Sequence, residues 1–175
     1  LVETGAGLEV TAVRNGDVQK RSYPNSFGRH QGTAGYEFVQ DLHLVDNAPL
    51  IAEQAVQLLS AEQCPSDLVT TVILDPTQLA LQIHESCGHP IELDRALGTE
   101  ASYAGTSFLT VDKLGGFRYG SDLVNIVADA TVPGGLGTFG FDDEGVAAQR
   151  VPIIQNGIFV NYLTSRETAT ALGQR

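Results

Sequence analysis

Two Asn-Gly dipeptides, Asn15-Gly16 and Asn156-Gly157, constrain this chain more than any other feature. Both residues of such a pair accept the positive φ angles of a type I′ turn, the connection whose twist matches that of two adjacent antiparallel strands. Residues 8 to 23 alternate apolar and polar side chains about the first pair, which predicts a hairpin of Leu8–Val13 with Val18–Tyr23. The second predicts Val151–Gln155 against Ile158–Leu163. Short runs at Leu68–Leu74, Ser107–Val111 and Leu123–Ala128 read as further strands, the first of them buried.

Helical signals lie between these runs. Ile51, Ala52, Ala55, Val56 and Leu59 recur at helical spacing within Ala48–Leu59, and Pro65 stops any long continuation. A second helix starts with Asp75 as N-cap, Pro76 at its first position and Gln78 at its third. A short helix follows at Arg166–Leu172. Pro24–Gly35, which contains a solvated His30, reads as a loop. Pro133–Gly145 holds five glycines and the acidic run Asp142-Asp143-Glu144, read either as a substrate or partner contact near a site or as a solvated turn between strands, with a lean to a structural Gly-rich loop packed near the active site. The expected fold is α+β: a largely antiparallel, strongly bent sheet or partial barrel packed against helices at 48–59 and 76–88. The motif helix is expected to bury Leu79, Ala80, Ile83 and Cys87.

With 175 residues, 42% of them hydrophobic, the chain has material for one ordinary core and a small appended unit. A formal charge of −11 argues against direct contact with nucleic acid or anionic membranes. There is no Met, no charged segment leading into an apolar run, and no apolar stretch long enough for a span, so a cytoplasmic protein is expected, and an internal piece of a longer one. Cys64 and Cys87 are too few for a disulfide framework.

The chemistry concentrates in Ile83-His84-Glu85-Ser86-Cys87-Gly88-His89-Pro90, an H-E-x-x-x-H pattern one residue longer than the H-E-x-x-H of many zinc peptidases. On a regular α-helix residues four apart differ by about 40° and share a face, whereas residues five apart differ by about 140°. Two routes bring His89 beside His84. Gly88 and Pro90 can break the helix, since glycine tolerates other backbone regions and proline disfavours the α region for the residue before it. Alternatively, a single π-bulge widens the turn. Either way both imidazoles reach one Zn²⁺, and Glu85 is placed to accept the proton of an attacking water whose pKa the ion lowers to around 7. A third protein ligand is needed, and Cys87, Glu92, Asp94 and Cys64 are candidates within the chain. Glu92 and Asp94 are also candidates to hydrogen-bond a ligand histidine, with plain surface charge as the competing explanation. The bland reading of the whole segment is an ordinary helix with two histidines.

From about Asp67 to Gly173 the sequence resembles the TldD/PmbA family, also labelled modulators of DNA gyrase. The resemblance rests on Leu74-Asp75-Pro76, His84-Glu85-x-x-x-His89, Glu92-Leu93-Asp94-Arg95, Leu97-Gly98, the run Gly137–Gly145, Asn156-Gly157-Ile158 and the Tyr162–Gly173 region, in that order. It implies a zinc metallopeptidase of the TldD type, since the PmbA (TldE) partner lacks the histidine motif. His84 and His89 then correspond to metal ligands and Glu85 to the catalytic glutamate. The family's third ligand is a cysteine beyond the equivalent of Arg175, matched by neither Cys87 nor Cys64. The resemblance further implies unfolded or flexible peptide substrates and a homodimer or a heterodimer with a PmbA/TldE-type subunit. Residues 1–65 correspond to the end of the family's N-terminal part and residues 66–175 to a metallopeptidase core incomplete at its C-terminus, which leads to an expectation of an empty or partly formed metal site in these residues alone. The gyrase label sits poorly with the charge of −11, and any such effect is expected to be proteolytic. Two other readings stay open: a noncatalytic subunit whose edge strands hold an extended peptide, and a purely structural zinc site with four protein ligands.

Overall fold

A computed structural model describes residues 2–173, and places them in two compact units that divide between Leu79 and Ala80. Leu1, Gln174 and Arg175, the outer ends of the two expected spans, lie outside the described residues.

In the first unit, β1 (Thr4–Ala6) is followed by β2 (Leu8–Arg14) and β3 (Asp17–Tyr23). The last two pair antiparallel in the expected register, from Leu8 opposite Tyr23 to Arg14 opposite Asp17. Asn15 and Gly16 close them with φ of 52° and 87°, the backbone that a type I′ turn demands. The segment read as a loop contains a strand: β4 (His30–Gly32) pairs antiparallel with β1. Three residues with little apolar content carry no periodic signal, so the pairing is decided by the partner strand. His30 is exposed as expected, with its ring 5.4 Å from that of Phe38.

Helix α1 (Glu37–Asp41) leads into α2 (Leu44–Leu58), which packs on the β2–β3 hairpin with Ile51 and Ala55 buried. It begins one turn before the expected Ala48, and Pro49 lies inside its early turns. Polar ties reinforce the packing: Arg14 donates to the Leu59 carbonyl and to Ser60 Oγ, and Arg21 Nε donates to Gln54 Oε1 at 2.9 Å. Beyond α2, Leu68–Leu74 is not the buried strand its composition predicts. Val69 and Ile73 are 99% and 100% exposed, and no described strand pairs with the segment. A β-branched run becomes a strand only when another backbone offers hydrogen bonds and a surface covers it.

Helix α3 (Pro76–Ile83) opens as its sequence requires. The Asp75 side chain accepts from the Thr77 backbone N–H at 2.9 Å and the Asp75 carbonyl takes bonds from Gln78 and Leu79. The expected buried face is only partly realised: Leu79 and Ala80 are exposed, Ile83 is half-buried and Cys87 fully buried.

The second unit continues with α4 (Leu93–Leu97), β5 (Ile126–Asp129), β6 (Arg150–Gln155), β7 (Ile158–Phe159) and α5 (Arg166–Ala169). Its core is built on Cys87, Leu93, Leu109, Ile153, Ile154 and Phe159, each under 2% exposed. Strands β5, β6 and β7 form an antiparallel sheet in that order. Pro152, in the central strand, has no N–H to give the ladder, and the β5–β6 register shifts nearby between Ile126 and Val127. Asn156-Gly157 closes β6–β7 as expected, and Gly157 is required twice: its φ is +77°, and a Cβ there would lie 2.5 Å from the carbonyl oxygens of Gly120 and Ser121. The second arm is shorter than expected, and Leu163 instead forms a parallel bridge with Glu92.

Ser107–Val111 is not a strand. Ser107 Oγ donates to the Pro90 carbonyl at 2.6 Å and accepts from Leu109 N–H at 2.9 Å, so a side chain takes the place of a ladder neighbour. The architecture is α+β and largely antiparallel; the strands among the described residues form three small sheets that do not close into a barrel. Among the described residues, no helix is long and apolar enough to cross a membrane.

Candidate metal centre

The last turn before His89 departs from α geometry. His84–Gly88 is a π-turn, in which His89 N–H donates to the His84 carbonyl five residues back at 3.0 Å. The wider turn returns the chain to the same face after five residues. The His84 and His89 rings therefore stand 4.4 Å apart between centroids, at 78° to each other.

Of the two routes open to the sequence, the structure takes the bulge. His89 keeps helical angles, φ −67° and ψ −42°, in spite of the proline that follows it. A Cβ on Gly88 would meet nothing closer than 3.9 Å, so glycine is not sterically demanded there. The turn is fixed from outside. Cys87 is in the core, Tyr119 Oη donates to the Ser86 carbonyl at 3.0 Å, and Ser107 holds the Pro90 carbonyl. Beyond it, Leu93 N–H donates to Leu163 O at 3.0 Å and Leu163 N–H to Ile91 O at 2.8 Å.

Ligand atoms of His84, Glu85 and His89 all lie within 4.8 Å of one another. His84 and Glu85 are exposed, His89 half-buried. Imidazole nitrogens sharing one zinc ion at about 2.0–2.1 Å sit at most about 4.2 Å apart, so small rotamer adjustments suffice, and two imidazoles with a carboxylate suit a borderline cation. The residues present fit a divalent metal.

Glu92 is half-buried beside this group, and its Oε1 lies 2.9 Å from His89 Nδ1. The network assigns the proton to Nδ1, which donates to the carboxylate and leaves the Nε2 lone pair free. The other oxygen, Oε2, accepts from Arg95 Nε at 2.9 Å. Arg95 is a site residue that the motif reading missed; its signals were a place in the Glu92-Leu93-Asp94-Arg95 block and its position three residues after Glu92 on one helical face. Asp94 is not brought to the histidines: its Oδ1 accepts from Arg95 N–H at 2.8 Å.

Neither cysteine is a member of the cluster. Cys87 is 1% exposed among apolar side chains, and burial pushes its thiol up, against a bond from Tyr119. Cys64 is exposed in the first unit. The acidic run has structural partners at two of its three positions. Asp142 Oδ1 accepts from the N–H groups of Glu144 and Val146, and Glu144 Oε2 accepts from Arg166 N–H at 3.0 Å at the start of α5.

Residues 68–175 match the family model described as the PmbA/TldA metallopeptidase C-terminal domain, which places the chain in a metallopeptidase family. A metalloprotease of Methanocaldococcus jannaschii is 38% identical over 164 residues, covering 93% of this chain and 32% of that protein. A zinc metalloprotease TldD homologue of Saccharolobus solfataricus is 33% identical over 59% of the chain and 21% of its own length. The chain belongs to the TldD/PmbA family and spans about a third of the length of the Methanocaldococcus relative. Its fold is also that of a putative modulator of DNA gyrase from Thermotoga maritima, with a TM-score of 0.68 at 22% identity over 95% of this chain and 34% of that one. TldE from Thermococcus kodakarensis gives 0.59 at 18%, over 97% and 34% respectively.

Proposed function

We propose that this chain carries two metal ligands and the general base of a cytoplasmic zinc-dependent peptidase acting on unfolded or flexible peptides. The observation that carries the reading is the π-turn that gathers His84, Glu85 and His89 within 4.8 Å. Both His84 and His89 present a ring nitrogen to a shared position, His89 through the Nε2 that its bond to Glu92 leaves free. Zinc, when bound, supplies Lewis acidity toward a peptide carbonyl and toward water. Glu85 accepts the proton of the attacking water and returns it to the departing amine, and its exposed carboxylate has room for both substrates.

A third ligand comes from a cysteine outside these residues; the cluster among the described residues comprises His84, Glu85 and His89 and takes in neither cysteine of the chain. The zinc metalloprotease name of the Saccharolobus relative supports the choice of metal. Residues 66–175 supply this peptidase core, and residues 1–65 the end of a preceding part. By family membership, the assembly is proposed to be a homodimer or a heterodimer with a PmbA/TldE-type subunit.

The test uses the full-length protein. Glu85→Gln is expected to lower kcat/KM on a quenched-fluorescence peptide library by about 10²–10⁴-fold, with metal content and melting temperature unchanged. His84→Ala and His89→Ala are expected to lose the metal. Wild-type cleavage by Glu85→Gln, or full metal content in both histidine variants, overturns the assignment.

A further inference from the structure

The two histidines are held very differently. Among the described residues no hydrogen bond fixes the His84 ring, which has the His89 ring at its edge and the Glu85 carboxylate 3.8 Å away, whereas His89 ends a chain of short polar bonds that runs into the protein. Glu92 alone would be a weak anchor, because a glutamate side chain has several rotatable bonds and this one is a third exposed. Arg95 removes that freedom. Its Nε and Nη2 both lie 2.9 Å from Glu92 Oε2, and its Nη1 donates to the Ala104 carbonyl at 3.0 Å. The guanidinium is thus fixed at both edges, and at 17% side-chain exposure it is the most buried member of the chain. A planar fork can satisfy two acceptors in different directions at once; an ammonium cannot do so in the same fixed plane.

The geometry follows the helix. Glu92 is the N-cap residue of α4 and Arg95 lies three residues on, on the same face, while Gly98 ends the helix with φ of +82°. The separation of 3.4 Å from Arg95 Nη2 to His89 Nδ1 is longer than the 2.9 Å from Nδ1 to Glu92, so Arg95 acts through the carboxylate.

Resting on the metal-centre reading above, we propose that Arg95 is a positioning residue for the centre: by locking Glu92 between itself and His89, it fixes the tautomer and ring plane in which His89 offers Nε2 to the metal. A ligand held this way loses less freedom on coordination. The lock is specific to arginine.

The experiment measures metal binding in the full-length protein, with zinc affinity from competition against a chromophoric chelator and ligand geometry from the visible absorption of the cobalt(II) form. Arg95→Ala and Glu92→Gln are each expected to weaken zinc by about 10–100-fold and to shift the cobalt bands. The double variant is expected to weaken it no further than the stronger single one, since both changes break the same link. Arg95→Lys is expected to recover only part of the affinity. Melting of the metal-free forms identifies variants that do not fold, and if Arg95→Ala is one of them Arg95→Lys carries the test. Wild-type affinity and cobalt spectrum in the folded Arg95 variant overturn the proposal, as does full additivity in the double variant. Retention of cobalt by His89→Ala overturns the metal-centre reading instead, so the two failures are distinguishable.

Discussion

His89 N–H donates to the carbonyl of His84 across five residues, and this one bond sets the two rings face to edge 4.4 Å apart. The turn does not depend on glycine, since Gly88 lacks a positive φ and a Cβ there would make only ordinary contacts at 3.9 Å. Gly88→Ala is therefore expected to preserve metal content and to leave stability unchanged or raised by up to about 1 kcal/mol, the helix preference of alanine over glycine. Elemental analysis and urea denaturation check it. A loss of metal on this substitution would show that the turn needs a flexible residue after all.

Cys87 is buried in the core of the second unit, away from the histidine face. Cys87→Ala is expected to cost about 1–2 kcal/mol through the lost packing, while metal stoichiometry in the full-length protein stays as in the wild type. A stoichiometric drop in metal with an intact fold would instead make Cys87 a ligand.

Tyr162 Oη donates to the Leu109 carbonyl inside the same core, and burial, with the Asp112 charge adding to it, pushes its phenol up to about 12. The folded value lies above the ordinary 10, so the folded state holds its proton more tightly. This contribution to stability is fully present below pH 10 and is lost as pH rises toward 12. Denaturation midpoints measured from pH 9 to 11.5 are expected to fall more steeply for the wild type than for Tyr162→Phe. The same variant leaves the Leu109 carbonyl without its donor and is expected to cost about 1–3 kcal/mol at neutral pH.

At the start of α3, bonds from Thr77 hold the Asp75 carboxyl below its ordinary value, the side-chain bond contributing more than the backbone one. Because the folded value is depressed, its stabilisation is present above the unfolded carboxylate range and disappears as pH falls through the folded value. Asp75→Ala is expected to lower the melting temperature at pH 7 and to flatten its decline in acid. A melting curve identical to wild type at pH 7 would show that the cap contributes nothing.

The parts of the fold legible in the sequence are those governed by neighbours a few residues away. Asn15-Gly16 and Asn156-Gly157 adopt positive φ because of their own chemistry, and they closed both expected hairpins. Asp75-Pro76 began its helix, and Ser165 and Thr168 cap each other at the start of α5, close to the expected Arg166. The spacing of His84 and His89 showed that a regular α-helix could not serve both. It did not show which distortion would answer, because Gly88-His89-Pro90 allowed a break or a bulge, while the bulge is held by Tyr119 on the Ser86 carbonyl, Ser107 on the Pro90 carbonyl and the core side chains around Cys87, all from distant segments.

What the sequence determined by itself was therefore the turns, the helix starts and the residue types of the metal centre, all set by local sterics and by the chemistry of the side chains. Tertiary structure alone decided that Leu68–Leu74 stays exposed and that Ser107 replaces a strand's hydrogen bonds. It alone brought Glu92 rather than Asp94 to His89, with Arg95 behind it. Burial and long-range hydrogen bonding are properties of a pair of segments, and neither segment carries the answer in its own residues.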